Sequence, residues 1–219
     1  MLRKATRDDK RVLDGLGEFV ESLELDILKE VSQEKFYEIL TYIFESTEDR
    51  FSYKYCTVYE EDGEILGFSF GYNYEKLEEM RSFWFDKVVT MFELKNDTVI
   101  FDYDEMLPGE YYLDTLYVFA ENRGQGIGNK LLSKFTIEEH PLKSLNVAQS
   151  NHGARRLYES YGFKKECEIL GLKASSSDLE LVGSFAFLTP GDFAAVLRAN
   201  KFSPLADANE FANRLNDEI

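Results

Sequence analysis

Leu116-Tyr117-Val118-Phe119-Ala120-Glu121-Asn122-Arg123-Gly124-Gln125-Gly126-Ile127-Gly128-Asn129 is the stretch that decides the fold. A β-rich run, Tyr111–Val118, ends here. Ile127, Leu131, Leu132 and Phe135 then open a helix with an apolar period near four. Between strand and helix, glycines alternate at 124, 126 and 128. Glycine lets main-chain N–H groups come close to a ligand and takes up positive φ. A helix start adds N–H donors that have no intrahelical acceptor, and the positive end of a dipole. Strand, loop and helix together make a pyrophosphate site, although an ordinary tight turn would use the same residues. Two other phosphate loops do not fit. A P-loop needs Gly-Lys followed by a hydroxyl residue, whereas Lys130 follows Asn129 and precedes Leu131. A dinucleotide loop needs glycine where Asn129 stands and an acidic strand end further on, where the chain reads Leu145-Asn146-Val147.

Toward the N-terminus, residues 2–6 read as a short strand and Asp8 or Asp9 as a helix N-cap. Val12, Leu13, Leu16, Phe19, Val20 and Leu23 then recur at helical spacing. Phe36, Ile39, Leu40, Ile43 and Phe44 mark a second helix. Residues 53–60 read as a strand, and Asp62-Gly63 as a hairpin turn. The returning strand places Leu66, Phe68, Phe70 and Tyr72 on one face. Gly67, Ser69 and Gly71 form the other face, which leaves room for something to approach. Residues 74–109 form an excursion rich in aromatics and acids. A helix is expected through Met80, Trp84, Val88 and Met91, and a strand over Thr98–Tyr103. It either packs on the core or covers a substrate.

Toward the C-terminus, residues 144–148 look like a short buried strand. Asn151 can cap a helix carrying Ala154, Leu157, Tyr158 and Tyr161 on one face, with Gly162 as its left-handed terminator. Residues 163–170 and 180–188 read as two closing strands. A helical tail to Ile219 follows, with Phe211 and Leu215 one turn apart.

The 219 residues are 44% hydrophobic, enough for a packed core, and carry 41 acidic against 25 basic side chains, a net charge of −16. That balance argues against nucleic acid as a main partner and equally against an anionic membrane surface, since both need a basic face. No apolar run reaches the length of a spanning helix. No apolar stretch follows the charges of Arg3, Lys4 and Arg7, so no signal peptide is expected and a cytoplasmic location is. Cys56, Cys167, His140 and His152 make no zinc set, and no metal is expected.

Two signatures carry a family resemblance. Arg123-Gly124-Gln125-Gly126-Ile127-Gly128 fits the pattern Gln/Arg-x-x-Gly-x-Gly/Ala in full, preceded by Leu116-Tyr117-Val118 in a Leu-x-Val strand. Asn151 is followed by Ala154-Arg155-Arg156-Leu157-Tyr158-Glu159-Ser160-Tyr161-Gly162-Phe163, which reads Ala-x-x-x-Tyr-x-x-x-Gly-Phe. With both motifs in this order, the chain resembles the GNAT N-acetyltransferase superfamily, most strongly over residues 111–163. The resemblance implies an α/β fold with a mixed, centrally splayed sheet flanked by helices. It implies a GNAT domain over 1–188 with an insertion at 74–109, and a helical extension over 189–219.

It also implies a chemistry. Acetyl-CoA would lie where the strands at 111–118 and 144–148 part, its pantetheine arm pairing with the main chain of Leu116-Tyr117-Val118. The N–H groups of Gly124, Gln125, Gly126, Ile127, Gly128 and Asn129 would take the pyrophosphate, with Arg123 at the edge and Asn151 contributing from the second signature. Arg123, Lys130, Lys134, Arg155 and Arg156 would offset the acidic field for a polyanionic ligand. Tyr158 occupies the position of the acid that protonates the leaving thiolate, and a main-chain N–H near Val118 would stabilise the oxyanion. Asp114, a carboxylate on the face of Leu116 and Val118 by period two, is a candidate base. A structural role for it, or proton removal through water, fits equally. The implied function is transfer to a primary amine of a small molecule. A peptide or protein N-terminal acetyltransferase and a non-catalytic acyl-CoA-binding module are the alternatives. A homodimer is compatible with the family. The acids and aromatics of 74–110 suit a cationic acceptor.

Overall fold

The computed structural model describes residues 1–23, 25–101, 106–140, 142–148, 151–163 and 204–217. They fall into two compact units, one of Met1–Asp102 with Pro108–Leu145, the other of Tyr103–Leu107 with Asn146–Ile219.

The first unit is built on a sheet in the order β1-β2-β3-β4-β5: β1 (Leu2–Lys4), β2 (Cys56–Glu61), β3 (Glu64–Asn73), β4 (Tyr111–Val118) and β5 (Lys143–Leu145). Neighbours are antiparallel except β4 and β5, which are parallel, so the sheet is mixed. The hairpin turn between β2 and β3 forms as expected, with Asp62 and Gly63 both at positive φ. Helices α1 (Arg11–Glu21) and α3 (Gln33–Glu45), joined through the short α2 (Ile27–Glu30), bury Val12, Leu16, Val20, Phe36, Ile39, Leu40 and Ile43 in one core with Phe68 and Phe70 of β3. Ser32 caps α3 by accepting from the Lys35 N–H. Asp9 does not cap α1. Its carboxylate takes the Thr6 N–H and a two-pronged bond from Arg3, which also reaches Glu60 and so ties the chain before α1 to β1 and β2.

Helix α5 (Ile127–Thr136) covers the opposite face of the sheet, and it fills the room left by the small residues of β3. A Cβ at Gly67 would stand 2.8 Å from the Tyr117 carbonyl oxygen and 3.2 Å from Ile127; one at Gly71 would stand 3.3 Å from the Phe135 ring. What approaches the Gly/Ser face is therefore a helix of the same chain.

Residues 74–101 differ from expectation in two ways. The helix forms, as α4 (Leu77–Phe83) running into a π-helical segment over Trp84–Val89. The wider turn shifts the buried positions to Met80, Phe83, Trp84, Val88 and Val89, and Met91 ends up exposed. No strand forms over 98–101. The Thr98 carbonyl accepts from the Trp84 indole at 2.7 Å and its hydroxyl donates to Glu30, which holds this stretch on the core as a loop. Phe83 and Trp84 belong to that core, and Phe92 and Phe101 pack against it.

In the second unit, α6 (His152–Ser160) and α7 (Ala208–Asp217) are described. Phe211 and Leu215 of α7 are both buried, as their spacing predicts. Of the expected strands at 163–170 and 180–188 only Phe163 is described; the rest of them, and the tail before residue 204, lie outside the described residues.

Candidate active site

β4 continues past its parallel neighbour. Pairing with β5 covers Tyr111, Tyr112 and Leu113 only, because β5 ends at Leu145 and residues 146–148 form no strand. From the bulge onward β4 keeps β3 on one side and presents its other edge without a strand among the described residues. Which groups point outward follows from one bond. The Phe119 N–H donates to the Leu66 carbonyl, so residues in phase with it, Tyr117 and Thr115, turn both main-chain groups toward β3. Leu116 and Val118 turn theirs to the open edge. The Val118 carbonyl confirms the phase, since it accepts from Arg123 Nε at 2.9 Å rather than from β3.

Tyr117 is thereby removed from the cofactor contacts expected of it. Its main chain faces β3, and its side chain stacks on Phe68 and donates to Glu18. Burial, then the bond to that carboxylate, pushes its phenol up to about 12. The side chains of Leu116 and Val118 pack against the cluster of Tyr59, Leu66, Ile127 and Leu131, on the α5 side of the sheet, which leaves their main-chain edges as the working surface.

After β4 a short 3₁₀ turn (Ala120–Asn122) leads into the glycine loop. Gly124 and Gly126 stand at φ 77° and 75°, and no atom lies within 4 Å of where a Cβ at either would project. The loop is therefore open, and its conformation disfavours any side chain. Gly126 is the N-cap residue of α5, and the first intrahelical bond runs from the Lys130 N–H to its carbonyl. The N–H groups of Ile127 and Gly128 precede that bond and project from the helix start. Gly124, Gln125, Gly126 and Asn129 are exposed around them. Of the nearby cations, Arg123 and Lys130 bond neutral oxygens, Lys130 through the Tyr59 hydroxyl at 2.6 Å. Lys134 is paired with Glu138, and in the second unit Arg155 faces Glu159 at 4.0 Å.

Asp114 stands elsewhere than period two places it. Phe70 pairs with Thr115 and Gly71 with Leu113, so Asp114 is the extra residue of a β-bulge. The bulge turns Asp114 away from Leu116 and Val118, into the face of Phe70 and Tyr72. There Oδ2 accepts from Arg50 Nε at 2.8 Å, from Arg50 Nη2 and from the Tyr72 hydroxyl at 2.7 Å, while Oδ1 accepts from the Thr115 hydroxyl at 2.9 Å. The side chain is only 2% exposed. A carboxylate whose oxygens take four donors, two of them on a guanidinium, has its lone pairs committed and is poorly placed to collect a proton from an amine. Arg50 and Tyr72 gave no sign of this in the sequence; Arg50 lies 64 residues from its partner.

In the second unit Asn151 caps α6, its side chain accepting from the Ala154 N–H at 3.1 Å. Gly162, at φ 87°, ends the helix. The Phe163 N–H returns to the Tyr158 carbonyl, the Gly162 N–H returns to Glu159, and the Phe163 ring meets Tyr158 edge-on. The residues of the second signature are thus bound to one another by the geometry of the helix end. Tyr158 is half-buried, and burial pushes its phenol up. Among the described residues no cluster of His, Cys, Asp and Glu could hold a metal ion, and no helix is long and apolar enough to cross a membrane.

Residues 52–165, more than half of the chain, match the family described as the acetyltransferase (GNAT) domain. A solved acetyltransferase is 35% identical, with 75% of this chain and 89% of that one covered and a TM-score of 0.65. An N-acetyltransferase from Staphylococcus aureus Mu50, 23% identical over 76% of this chain and 91% of that one, shares the fold with a TM-score of 0.66. No curated protein matches the chain. The chain belongs to the GNAT acetyltransferase family, as an acyltransferase.

Proposed function

We propose that the protein transfers an acetyl group from acetyl-CoA to a primary amine of a small molecule. The observation that carries this reading is the main-chain edge of Leu116 and Val118, which pairs with no strand on that side among the described residues and runs directly into the glycine loop and the start of α5. An extended amide-bearing arm can pair along such an edge as a strand would. A pyrophosphate suits an open loop whose glycines admit it and whose helix start offers N–H donors. Leu116 and Val118 would hold the pantetheine arm, Gly124 to Asn129 the pyrophosphate, and Arg123 and Lys130 would add charge. Asn151 and Tyr158 are assigned on the family signature.

Acetyl-CoA supplies a thioester carbonyl that an amine can attack with loss of the CoA thiol. The chain's own groups do the rest. A main-chain N–H at the open edge near Val118 donates to the carbonyl oxygen as it gains charge. Tyr158 keeps its proton at neutral pH, because burial raises its phenol, and gives it from Oη to the leaving sulfur. Asp114 is committed to Arg50 and Tyr72, so the ammonium proton of the acceptor leaves through water.

The test is a panel of small amines and short peptides with acetyl-CoA, read by release of free thiol. Turnover with small amines is expected. Turnover confined to peptides would replace the acceptor assignment. Tight CoA binding with no turnover on any acceptor would make the protein a binding module.

A further inference from the structure

The buried group around Asp114 has no part in the chemistry above, yet it sits on the one irregularity that the donor edge depends on. Before the bulge, the Tyr111 N–H donates toward β5, to Leu142, and the Tyr74 N–H pairs with the Glu110 carbonyl. There the odd-numbered residues of β4 face the β5 side. Beyond the bulge, the bond from Phe119 to Leu66 makes the even-numbered Leu116 and Val118 face that side. The side chains switch with the main chain. The Tyr111 ring lies against Phe135 of α5 at 5.0 Å and Tyr112 meets Tyr72 on the other face, whereas past the bulge Val118 packs toward α5 and Tyr117 toward Phe68. With Asp114 drawn into regular pairing, Tyr117 would turn its main chain to the open edge and its ring toward α5.

We infer that Arg50, Asp114 and Tyr72 form a clamp that fixes the β4 bulge and so sets the phase in which Leu116 and Val118 are offered to the pantetheine arm, with Arg50 as its positioning residue. The clamp spans three segments. Asp114 is the bulged residue itself. Tyr72 is next to the β3 side of the register shift. Arg50 comes from the loop before β2, its guanidinium 4.7 Å from the Phe101 ring centre and its side chain 18% exposed. An extra residue in a ladder has no strand partner to hold it. Here a two-pronged guanidinium bond and a phenol take that place, in a setting where water competes little. The proposal rests on the acetyl-CoA reading.

Calorimetry with two probes, CoA and its 3′-phosphorylated ADP moiety (ADP for short), which differ only in the pantetheine arm, separates the pantetheine edge from the pyrophosphate loop. In the wild type CoA is expected to bind more tightly than ADP. In Asp114→Asn and Arg50→Ala the CoA affinity should fall about tenfold, the worth of one or two misplaced main-chain hydrogen bonds, while the ADP affinity stays within about twofold. Arg50→Lys should recover part of the loss. Tyr72→Phe removes one donor, keeps the ring, and should cost about threefold; it keeps the question answerable if the other variants do not fold. Folded variants with a lowered Tm and an unchanged ratio of CoA to ADP affinity would overturn the clamp. A wild type that binds ADP but gains nothing from the pantetheine arm would overturn the donor edge and the clamp with it. A wild type that binds neither probe would overturn the acetyl-CoA reading itself.

Discussion

Two single residues separate structural roles from binding ones. Gly126 stands at φ 75°, where a side chain is strained by about 1–2 kcal/mol whatever the ligand. Gly128 lies one position further into α5 than Ile127 and keeps a helical backbone that any residue can adopt. Gly128→Val should therefore fold with a Tm close to wild type and still lose at least about tenfold in CoA affinity, because its branches crowd N–H donors worth about 1.5–3 kcal/mol each to a phosphate. Unchanged affinity by calorimetry would remove the pyrophosphate from the helix start. Asp49 makes the opposite point. It is buried, its carboxylate accepts from the Phe51 N–H, and burial raises it from 3.8 to about 6. The folded protein therefore holds a proton that the unfolded chain has lost between these values, and stability from this group falls as pH rises through that window. At about 1.4 kcal/mol per pH unit the cost above pH 6 is at most about 3 kcal/mol. Asp49→Asn keeps the acceptor oxygen and removes the charge. Urea unfolding should show the variant gaining on the wild type from pH 4 to pH 7.5; a constant difference across that range would show that Asp49 does not titrate there.

At the scale of elements, α6 carries the sharpest test of Tyr158. The ring meets Phe163, and the helix-end bonds run through main chain, so Tyr158→Phe leaves the capped helix and its terminator in place. Only the hydroxyl is lost. kcat should fall about 10²–10⁴-fold with little change in CoA affinity, as for a general acid; full kcat with chemistry rate-limiting would return Tyr158 to packing. The elements also show what was legible in the sequence and what was not. Helix ends were, the start of α1 excepted, where Lys10 rather than Asp8 or Asp9 stands at the cap: Asn151 as a cap, Gly162 as a left-handed terminator and Gly126 at the head of α5 each answer a local need that one residue type meets. Periodicity found α1, α3, α5 and the hairpin for the same reason. It failed wherever one residue was added to a regular period. The bulge at Asp114 carried that side chain to the opposite face from the one alternation assigns, and the π segment at Trp84–Val89 carried Met91 out of the core. The glycines of β3 announced that something lies close; only the folded chain shows that it is Ile127 and Phe135. Arg50 and Tyr72 were illegible because their meaning lies in a contact across the sheet.

For the whole molecule the dominant fact is a net charge of −16. A donor with several phosphates must enter against that field, and Arg123 and Lys130, which bond neutral oxygens beside the loop, are the cations placed to oppose it locally. The acceptor meets the same field with the opposite sign. Much of the acid of residues 75–97 is exposed, including Glu75, Glu78, Glu93 and Asp97, and Glu79 pairs with Lys76; Glu110, just before β4, is buried and accepts from the Ser144 hydroxyl. The aromatics of the same region mostly serve the core, which leaves charge rather than a ring cage as the reason to expect a cationic acceptor. Such steering acts over a distance and is screened within about 8 Å at physiological ionic strength. A primary amine that is an ammonium in solution should therefore show a higher kcat/KM than a neutral acceptor of matched size at low salt, and the advantage should shrink as salt rises. CoA should respond in the reverse sense, its association quickening as salt weakens the repulsion. Equal kcat/KM for the two acceptors, or a preference indifferent to salt, would strip the acidic surface of any part in choosing the substrate and leave it to solubility alone.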